Sequence, residues 1–350
     1  MSEAVLRKAE GAAVWTGPEM AARDDWKVDL GPEHLAELER ACAGLRAAGR
    51  DIAGVRCEDA ALPALDRLME GIAGDVRRGR GFVLLRGLPV ARWSREMTAL
   101  AYWLIGTRLG IAVPQNGKGH VLGHVRDLGD DPLSPMTRIY TTRAAQEYHT
   151  DSCDIVGLLC LRPSRSGGAS SIVSSTTIWN AIVDERPDLA RVLLEPFVLD
   201  RKGEVPPGKQ ATYPMPIFHD FGGHISALYA RSFVRAAQAR PETPRLTPQQ
   251  EEAMDMVDCL AASDALRLDM DFRPGDMQFL HNHQILHART AYEDWPEPER
   301  KRHLLRLWLS TPDGRPLPEC FAERYGTVEP GAVRGGIRTA GQTLQAPLEP

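Results

Sequence analysis

The sequence predicts a mainly β protein with flanking helices, an α+β architecture, and two observations support this class. Helical periodicity is confined mostly to the part before about residue 110, whereas short alternating runs broken by Gly, Pro and Asp follow it. With 350 residues, of which 43% are hydrophobic, the chain can bury the core of one elaborated domain. We expect a single domain over residues 1–350. It would have a helix-rich part at about 1–110, a β core at about 111–310 and an irregular tail at about 311–350.

The first elements are justified by apolar spacing and by helix-end signals. Amphipathic helices are expected at about 33–48, 63–78 and 95–110. Their starts are marked by a proline or by a serine cap, and their ends by a glycine. An apolar run between Gly81 and Gly87 predicts a buried strand at about 82–85.

Beyond residue 110 the pattern is that of a β-barrel or sandwich. One helix interrupts it, because Thr247 and Gln250 form a capping box around a proline at the first helical position. Alternating strands are then expected at about 266–270, 277–280 and 302–309.

Charge and cysteine content exclude several classes of protein. Lys and Arg number 42 against 47 Asp and Glu, a net charge of −5, which argues against nucleic-acid and anionic-membrane partners. The six cysteines form no CxxC pair, which suits neither a disulfide framework nor a structural zinc site. No apolar run of about 18 residues occurs, so no membrane-spanning helix is expected. We expect a cytoplasmic protein that acts on a small molecule, with no membrane or nucleic-acid partner; homo-oligomerisation stays open.

Candidate metal ligands come from two distant segments. His149-x-Asp151 on an extended chain directs both side chains to one face, although such a pair alone is as well explained by a hydrogen bond at a strand end. The segment 281–289 offers a third ligand from His281, His283 or His287. One carboxylate and two imidazoles suit iron(II), which keeps coordination positions open, whereas zinc prefers a tetrahedral set.

A third segment, 302–309, alternates between two faces. Its leucine-rich face belongs in a core, while Arg302 and Arg306 lie on the opposite face. That face is either a solvated edge or the anion-binding wall of a pocket, where guanidinium groups bind carboxylates.

In their order along residues 80–310, these segments and the turn Gly167-Gly168-Ala169-Ser170 resemble the taurine dioxygenase and dichlorophenoxyacetate dioxygenase family. The resemblance implies a double-stranded β-helix (jelly-roll) core with a lid insertion, and an oxidoreductase that uses iron(II), 2-oxoglutarate and dioxygen. It implies iron ligands at His149, Asp151 and His287, and cosubstrate contacts at Arg302 and Ser170. Substrate contacts are implied at Arg306 and, from the lid, at Tyr213 and Phe218.

Departures from the family pattern restrict the expected reaction. Ala145 stands where the taurine enzyme has Asn, which disfavours taurine, and the retained Asp151 disfavours halogenation. The loop between His287 and Arg302 is longer than in the taurine enzyme, so the arginine register is open, and His283 remains the alternative ligand. A metal-dependent hydrolase, which would not need Arg302, and a non-catalytic binding barrel also remain open.

Overall fold

The computed structural model describes residues 6–134 and 136–350. The helices are α1 (Gly17–Ala21), α2 (Pro32–Ala47), α3 (Pro63–Arg78), α4 (Arg95–Thr107), α5 (Ser175–Glu185), α6 (Pro187–Leu193), α7 (Arg231–Gln238), α8 (Pro248–Ala262) and α9 (Ala322–Tyr325). The strands are β1 (Lys27–Asp29), β2 (Phe82–Arg86), β3 (Ile111–Ala112), β4 (Leu122–Val125), β5 (Gln146–His149), β6 (Ile155–Arg162), β7 (Ser166–Gly167), β8 (Ser170–Ser174), β9 (Phe197–Asp200), β10 (Thr212–Met215), β11 (Phe218–Phe221), β12 (His224–Ala227), β13 (Leu268–Met270), β14 (Met277–His281), β15 (Ile285–Arg289), β16 (Tyr292–Glu293) and β17 (His303–Ser310).

Two sheets form the centre of the fold. The larger has the order β1-β2-β14-β6-β17-β3, with β4 also paired to β17, and the smaller has the order β13-β8-β15-β5. Apolar side chains from both sheets, such as Val156, Ile172 and Ile285, share one buried cluster, so the sheets pack against each other. The chain passes from one sheet to the other six times, and two of these connections, β5 to β6 and β14 to β15, lie beside each other near residues 151 and 282.

Helices cover the outer faces of both sheets. Leucines of α2, α3 and α4 are buried with Leu305 and Leu307 of the larger sheet. Residues of α5, α6 and α8 are buried with Val173 and Leu286 of the smaller one. The predicted α+β class is confirmed. In the part of the chain that the structure describes, no helix is both long enough and apolar enough to cross a bilayer.

Most predicted elements are found within a few residues of their expected limits, but one expectation is wrong. Helix α3 spans the predicted residues, and the Thr247 capping box opens α8. That helix is the only one expected after residue 110, whereas α5, α6, α7 and the short α9 also form there. The β-branched start of α5 resembles a strand, yet Ser174 caps it and Ile178, Trp179 and Ile182 give it a buried helical face.

The tail after β17 is largely irregular, as predicted, but it is packed into the protein. Phe321, Tyr325 and Ile337 are buried. The amide of Gly336 donates to the Ser152 carbonyl (2.7 Å), and Arg334 donates to both carboxylate oxygens of Asp154 (3.0 and 3.1 Å). The tail therefore supports the connection between β5 and β6.

A carboxylate on α2 caps the start of α3. The residue preceding α3 is Leu62, whose side chain offers no acceptor. Glu37 replaces it, because its carboxylate accepts the amides of Ala64 (2.9 Å) and Leu65 (3.0 Å) while itself being buried. This contact fixes the two helices against each other.

We expect Glu37→Ala to lower the free energy of unfolding by about 1 to 2 kcal/mol, the usual cost of losing an N-terminal cap. Chemical denaturation of the variant and of Glu70→Ala, which removes an exposed carboxylate from α3, measures the effect. A loss no larger than that of Glu70→Ala would contradict the capping role.

Candidate metal centre and adjoining pockets

His149, Asp151 and His287 form a cluster in which one donor atom from each lies within 4.8 Å of the others. The antiparallel pairing of β15 with β5 places His287 directly opposite His149, and their ring centroids are 4.1 Å apart. Asp151 completes the set, with its carboxylate oxygens 3.9 Å from His149 Nε2 and 3.8 Å from His287 Nε2. Within residues 6–134 and 136–350, no other three His, Cys, Asp or Glu side chains converge in this way.

Neighbouring residues hold Asp151 in position. The side-chain amide of Asn282, in the turn between β14 and β15, accepts the Asp151 N–H (2.8 Å) and donates to the carbonyls of Asp151 (2.6 Å) and Cys153 (2.9 Å). Trp308 Nε1 donates to the carboxylate of Asp151 (2.7 Å). The segment around Asp151, between β5 and β6, is thus hydrogen-bonded to β17 of the larger sheet and to the turn that joins the two sheets.

The protonation states suit a divalent cation. Burial would raise the pKa of Asp151, but Arg306 and the two nearby histidines outweigh burial and lower this pKa to about 2. Burial and the adjacent His149 lower the pKa of His287 to about 3. A charged carboxylate and neutral imidazoles are the forms that bind metal, so this donor set fits iron(II).

The alternative ligand, His283, points into a different buried network. Its Nε2 is 2.9 Å from Asp154 Oδ1, and Asp154 is also the acceptor for Arg334. Because His283 is engaged there, His287 is the histidine that joins His149 and Asp151.

A pocket beside the cluster contains two buried guanidinium groups. Its lining includes His287, Ser170, Arg289 and Arg302, so Ser170 and Arg302 lie in the same pocket. Nη1 of Arg302 and both Nε and Nη1 of Arg289 are buried without a hydrogen-bond partner among the described residues. Both guanidinium groups also approach the ring of Tyr292, at 5.1 and 4.8 Å.

Burial lowers the pKa of both arginines, that of Arg289 to about 10, and their mutual repulsion adds to the shift of Arg289. Unpaired buried cations are costly, so this arrangement fits a dicarboxylate such as 2-oxoglutarate.

Arg306 lies between that pocket and a larger cavity and lines both. Being only 5% exposed, it is not on a solvated edge. Its Nε donates to Gln115 Oε1 (2.7 Å), and its Nη1 is 3.6 Å from Asp151 Oδ2. The acidic partner is therefore Asp151 and not the loop 293–294, where Asp294 instead accepts the Arg302 amide.

The larger cavity, of about 470 Å³, opens beside His149 and Asp151. Tyr213 lines it and packs beneath Arg201, whose Cζ is 4.3 Å from the ring centroid. Phe218 corrects the prediction: it lies in the core against Trp179, with ring centroids 5.3 Å apart, and is absent from the described lining of the cavity. Phe218 is buried at the start of β11, in the same cluster as Trp179 and Ile182 of α5.

Sequence reasoning missed several polar residues of these pockets. Arg289 is two residues after His287 on the same strand, so the period of two could have placed it on the pocket face. Arg138, Lys202 and Arg324 line the larger cavity but come from loops and the tail, where no periodicity indicates side-chain direction.

Comparison with known proteins gives consistent matches. The profile of the taurine catabolism dioxygenase TauD, TfdA family matches residues 48–308. FR-33289 synthase of Streptomyces rubellomurinus (strain ATCC 31215) is 29% identical over 336 residues, covering 93% of this chain and 97% of that protein. A uridine-5'-phosphate dioxygenase from a Streptomyces species is 25% identical over 196 residues, covering 52% and 70%.

Among solved structures, asparagine oxygenase in complex with Fe(II), 2S,3S-3-hydroxyasparagine and succinate superposes with a TM-score of 0.62. It is 16% identical and covers 82% of this chain and 94% of its own. The fold is thus that of a non-haem iron oxygenase.

We expect the protein to bind one iron(II) per chain. Replacing His149, Asp151 or His287 by Ala should weaken binding by more than the ~10–100-fold typical of losing an outer-sphere partner. Metal analysis after anaerobic loading and dialysis measures this. His283→Gln, checked for folding, should keep its iron; loss there with full occupancy in His287→Ala would reverse the assignment.

Proposed function

The chain belongs to the TauD, TfdA family of dioxygenases, and we propose that it hydroxylates a C–H bond of a small organic substrate that carries an anionic group. It is an oxidoreductase that depends on iron(II), 2-oxoglutarate and dioxygen. The observation that carries the proposal is that the cluster of His149, Asp151 and His287 lies between two pockets. One pocket contains N–H groups of Arg302 and Arg289 that are unpaired among the described residues, and the other is the larger cavity bordered by Arg306.

His149, Asp151 and His287 would hold the iron. When bound, iron(II) with 2-oxoglutarate and dioxygen supplies the oxidation of a C–H bond, with release of succinate and carbon dioxide. The chain contributes the positions of its ligands. Asn282 fixes the backbone of Asp151 and Trp308 orients its carboxylate, so the open side of the cluster stays directed at the pockets.

Arg302 and Arg289 would hold the distal carboxylate of 2-oxoglutarate. Their unpaired N–H groups support this assignment, because a carboxylate accepts two parallel hydrogen bonds from a guanidinium group. Ser170 lines the same pocket and can add a hydroxyl donor. These three residues would also keep water away from one side of the metal.

The substrate would occupy the 470 Å³ cavity. Arg306 borders it, is held by Gln115 and contacts Asp151, so it can meet a substrate anion close to the metal; Tyr213 would form an apolar wall. The name of the uridine-5'-phosphate dioxygenase relative describes a substrate with an anionic group, which supports this class of substrate.

We further infer that the two packed sheets form a double-stranded β-helix, and that residues 1–350 act as one domain. Asp151 lies in the connection between β5 and β6, and Asn282, which holds it, lies in the connection between β14 and β15; both connections join the two sheets. Repeated passage between two packed sheets supports a jelly roll. Cysteines that are all free support a cytoplasmic location.

Arg302→Ala should weaken 2-oxoglutarate binding by about 2 to 5 kcal/mol, because it removes one partner of a buried charge pair. Arg289→Ala should cost on the order of 2 kcal/mol, and Ser170→Ala about 1 to 2 kcal/mol. Anaerobic calorimetry on the iron-loaded protein measures these losses. The control, Arg300→Ala, removes an exposed guanidinium of the same loop. Unchanged affinity in Arg302→Ala would refute the cosubstrate assignment.

The protein should release succinate from 2-oxoglutarate under air and iron(II), faster when a small anionic substrate is present. A panel of carboxylates, sulfonates and phosphoryl compounds, with product mass increased by one oxygen atom, tests the reaction. Asp151→Ala is the inactive control. Turnover of a panel compound that proceeds without 2-oxoglutarate and survives in Arg302→Ala would indicate a metal-dependent hydrolase instead.

A further inference from the structure

Three cationic side chains surround the ring of Phe233, on α7. Arg138 Cζ, Lys202 Nζ and Arg324 Cζ lie 5.2, 5.1 and 5.6 Å from its ring centroid. All four residues line the larger cavity, which His149 and Asp151 also line. Three positive charges are therefore collected in the space that a substrate would enter.

The carboxylates around this group neutralise only one of the three charges. Arg138 forms an ion pair with Glu204. Lys202 Nζ has the Thr137 carbonyl at 3.5 Å, while the neighbouring Asp200 carboxylate pairs with Arg240. Arg324 donates Nε to Ser152 Oγ at 2.5 Å. Across residues 6–134 and 136–350, neither Lys202 nor Arg324 has a carboxylate oxygen within 4.0 Å.

Both unpaired cations are buried, each with only 8% of its surface exposed. Burial, and then the nearby Arg138, lowers the pKa of Lys202 to about 8, even though the carboxylates of Asp200 and Glu147 act in the opposite direction; removal from water disfavours the charged form. Lys202 also has φ +49°, and it is the non-glycine residue with positive φ in the described chain. Such backbone strain is often found at ligand-binding positions.

Within the described chain, Lys202 and Arg324 leave two positive charges without a carboxylate partner, and this excess favours an anion with two negative charges. A carboxylate or a sulfonate carries one negative charge, whereas a phosphate monoester carries close to two near neutral pH and presents three acceptor oxygens. A phosphonate has the same tetrahedral shape and a similar charge. Three cationic donors that line one cavity match the charge of a dianion better than that of a monoanion, and the three oxygens of a phosphoryl group better than the two of a planar carboxylate.

We propose that Arg138, Lys202 and Arg324 bind a phosphoryl dianion of the substrate, as a phosphate monoester or a phosphonate, while another part of the substrate faces the metal. That the bound molecule is the substrate rests on the proposed function. Ser152, which holds Arg324, directly follows Asp151, so the anion site and the metal cluster share one short segment.

The test is equilibrium binding of phenyl phosphate, phenylphosphonate and benzenesulfonate to the full chain at about pH 7.5, anaerobically, with and without iron(II) and 2-oxoglutarate. At least one phosphoryl probe should bind about tenfold or more tightly than benzenesulfonate, a difference of about 1.4 kcal/mol. The tighter of the two phosphoryl probes identifies the monoester or the phosphonate as the source.

Lys202→Met and Arg324→Gln should each weaken phosphoryl binding by about tenfold or more and reduce the preference over benzenesulfonate. Arg245→Gln is the control, because Arg245 is exposed and is not part of the described lining of the cavity; it should bind the probes like the wild type. Circular dichroism confirms folding of each variant.

Equal affinity of the wild type for benzenesulfonate and both phosphoryl probes would overturn the inference, even if the variants did not fold. Unchanged phosphoryl affinity in both folded variants would also overturn it. Since binding needs no turnover, these outcomes are independent of succinate release. A failure of this anion site leaves the proposed oxygenase function intact, whereas a failure of the oxygenase function would leave phosphoryl binding intact but not its assignment to a substrate.

Discussion

The whole site depends on keeping Asp151 charged while it is buried. Burial alone favours the protonated acid, and a protonated acid is a poor metal ligand. Arg306, the indole N–H of Trp308 and the neighbouring imidazoles counter this tendency, and Asn282 fixes the backbone at the same residue. These partners come from β5, β15, β17 and the turn after β14, so Asp151 keeps its charge only when the two sheets have packed together.

Arg334 on the one hand and Arg302 and Arg289 on the other are all buried, but they differ in what their N–H groups contact. Arg334 is fully engaged by Asp154 and the Arg315 carbonyl, and its role is to join the tail to the connection between β5 and β6. Arg302 and Arg289 retain unpaired N–H groups beside the metal cluster, within the described structure. A cation with its own carboxylate stabilises the fold, whereas a cation without one is stabilised only when an anion arrives.

Sequence reasoning reached the parts of the site that lie on regular strands. The period of two along residues 302–309 predicted that Arg302 and Arg306 lie on the same face. The choice of His287 over His283 came from the family resemblance, because the two are an even number of residues apart and alternation along a strand cannot distinguish them. It misplaced Phe218, because an aromatic residue in a turn-rich segment can face either side. It could not find Lys202 or Arg324. The side-chain direction of Lys202 depends on its left-handed backbone, and that of Arg324 depends on the packing of the tail.

The packing of the tail has a consequence for the timing of biosynthesis. Arg334 lies 180 residues after its partner Asp154, and at typical translation rates this stretch takes roughly 10 to 40 seconds to synthesise. Until it emerges, the segment that carries Asp151 and Asp154 lacks both its buried counter-ion and the backbone contacts from Gly336. The segment that carries Asp151 therefore gains these packing contacts only after residues 334–336 have been synthesised, long after residues 149–154 themselves.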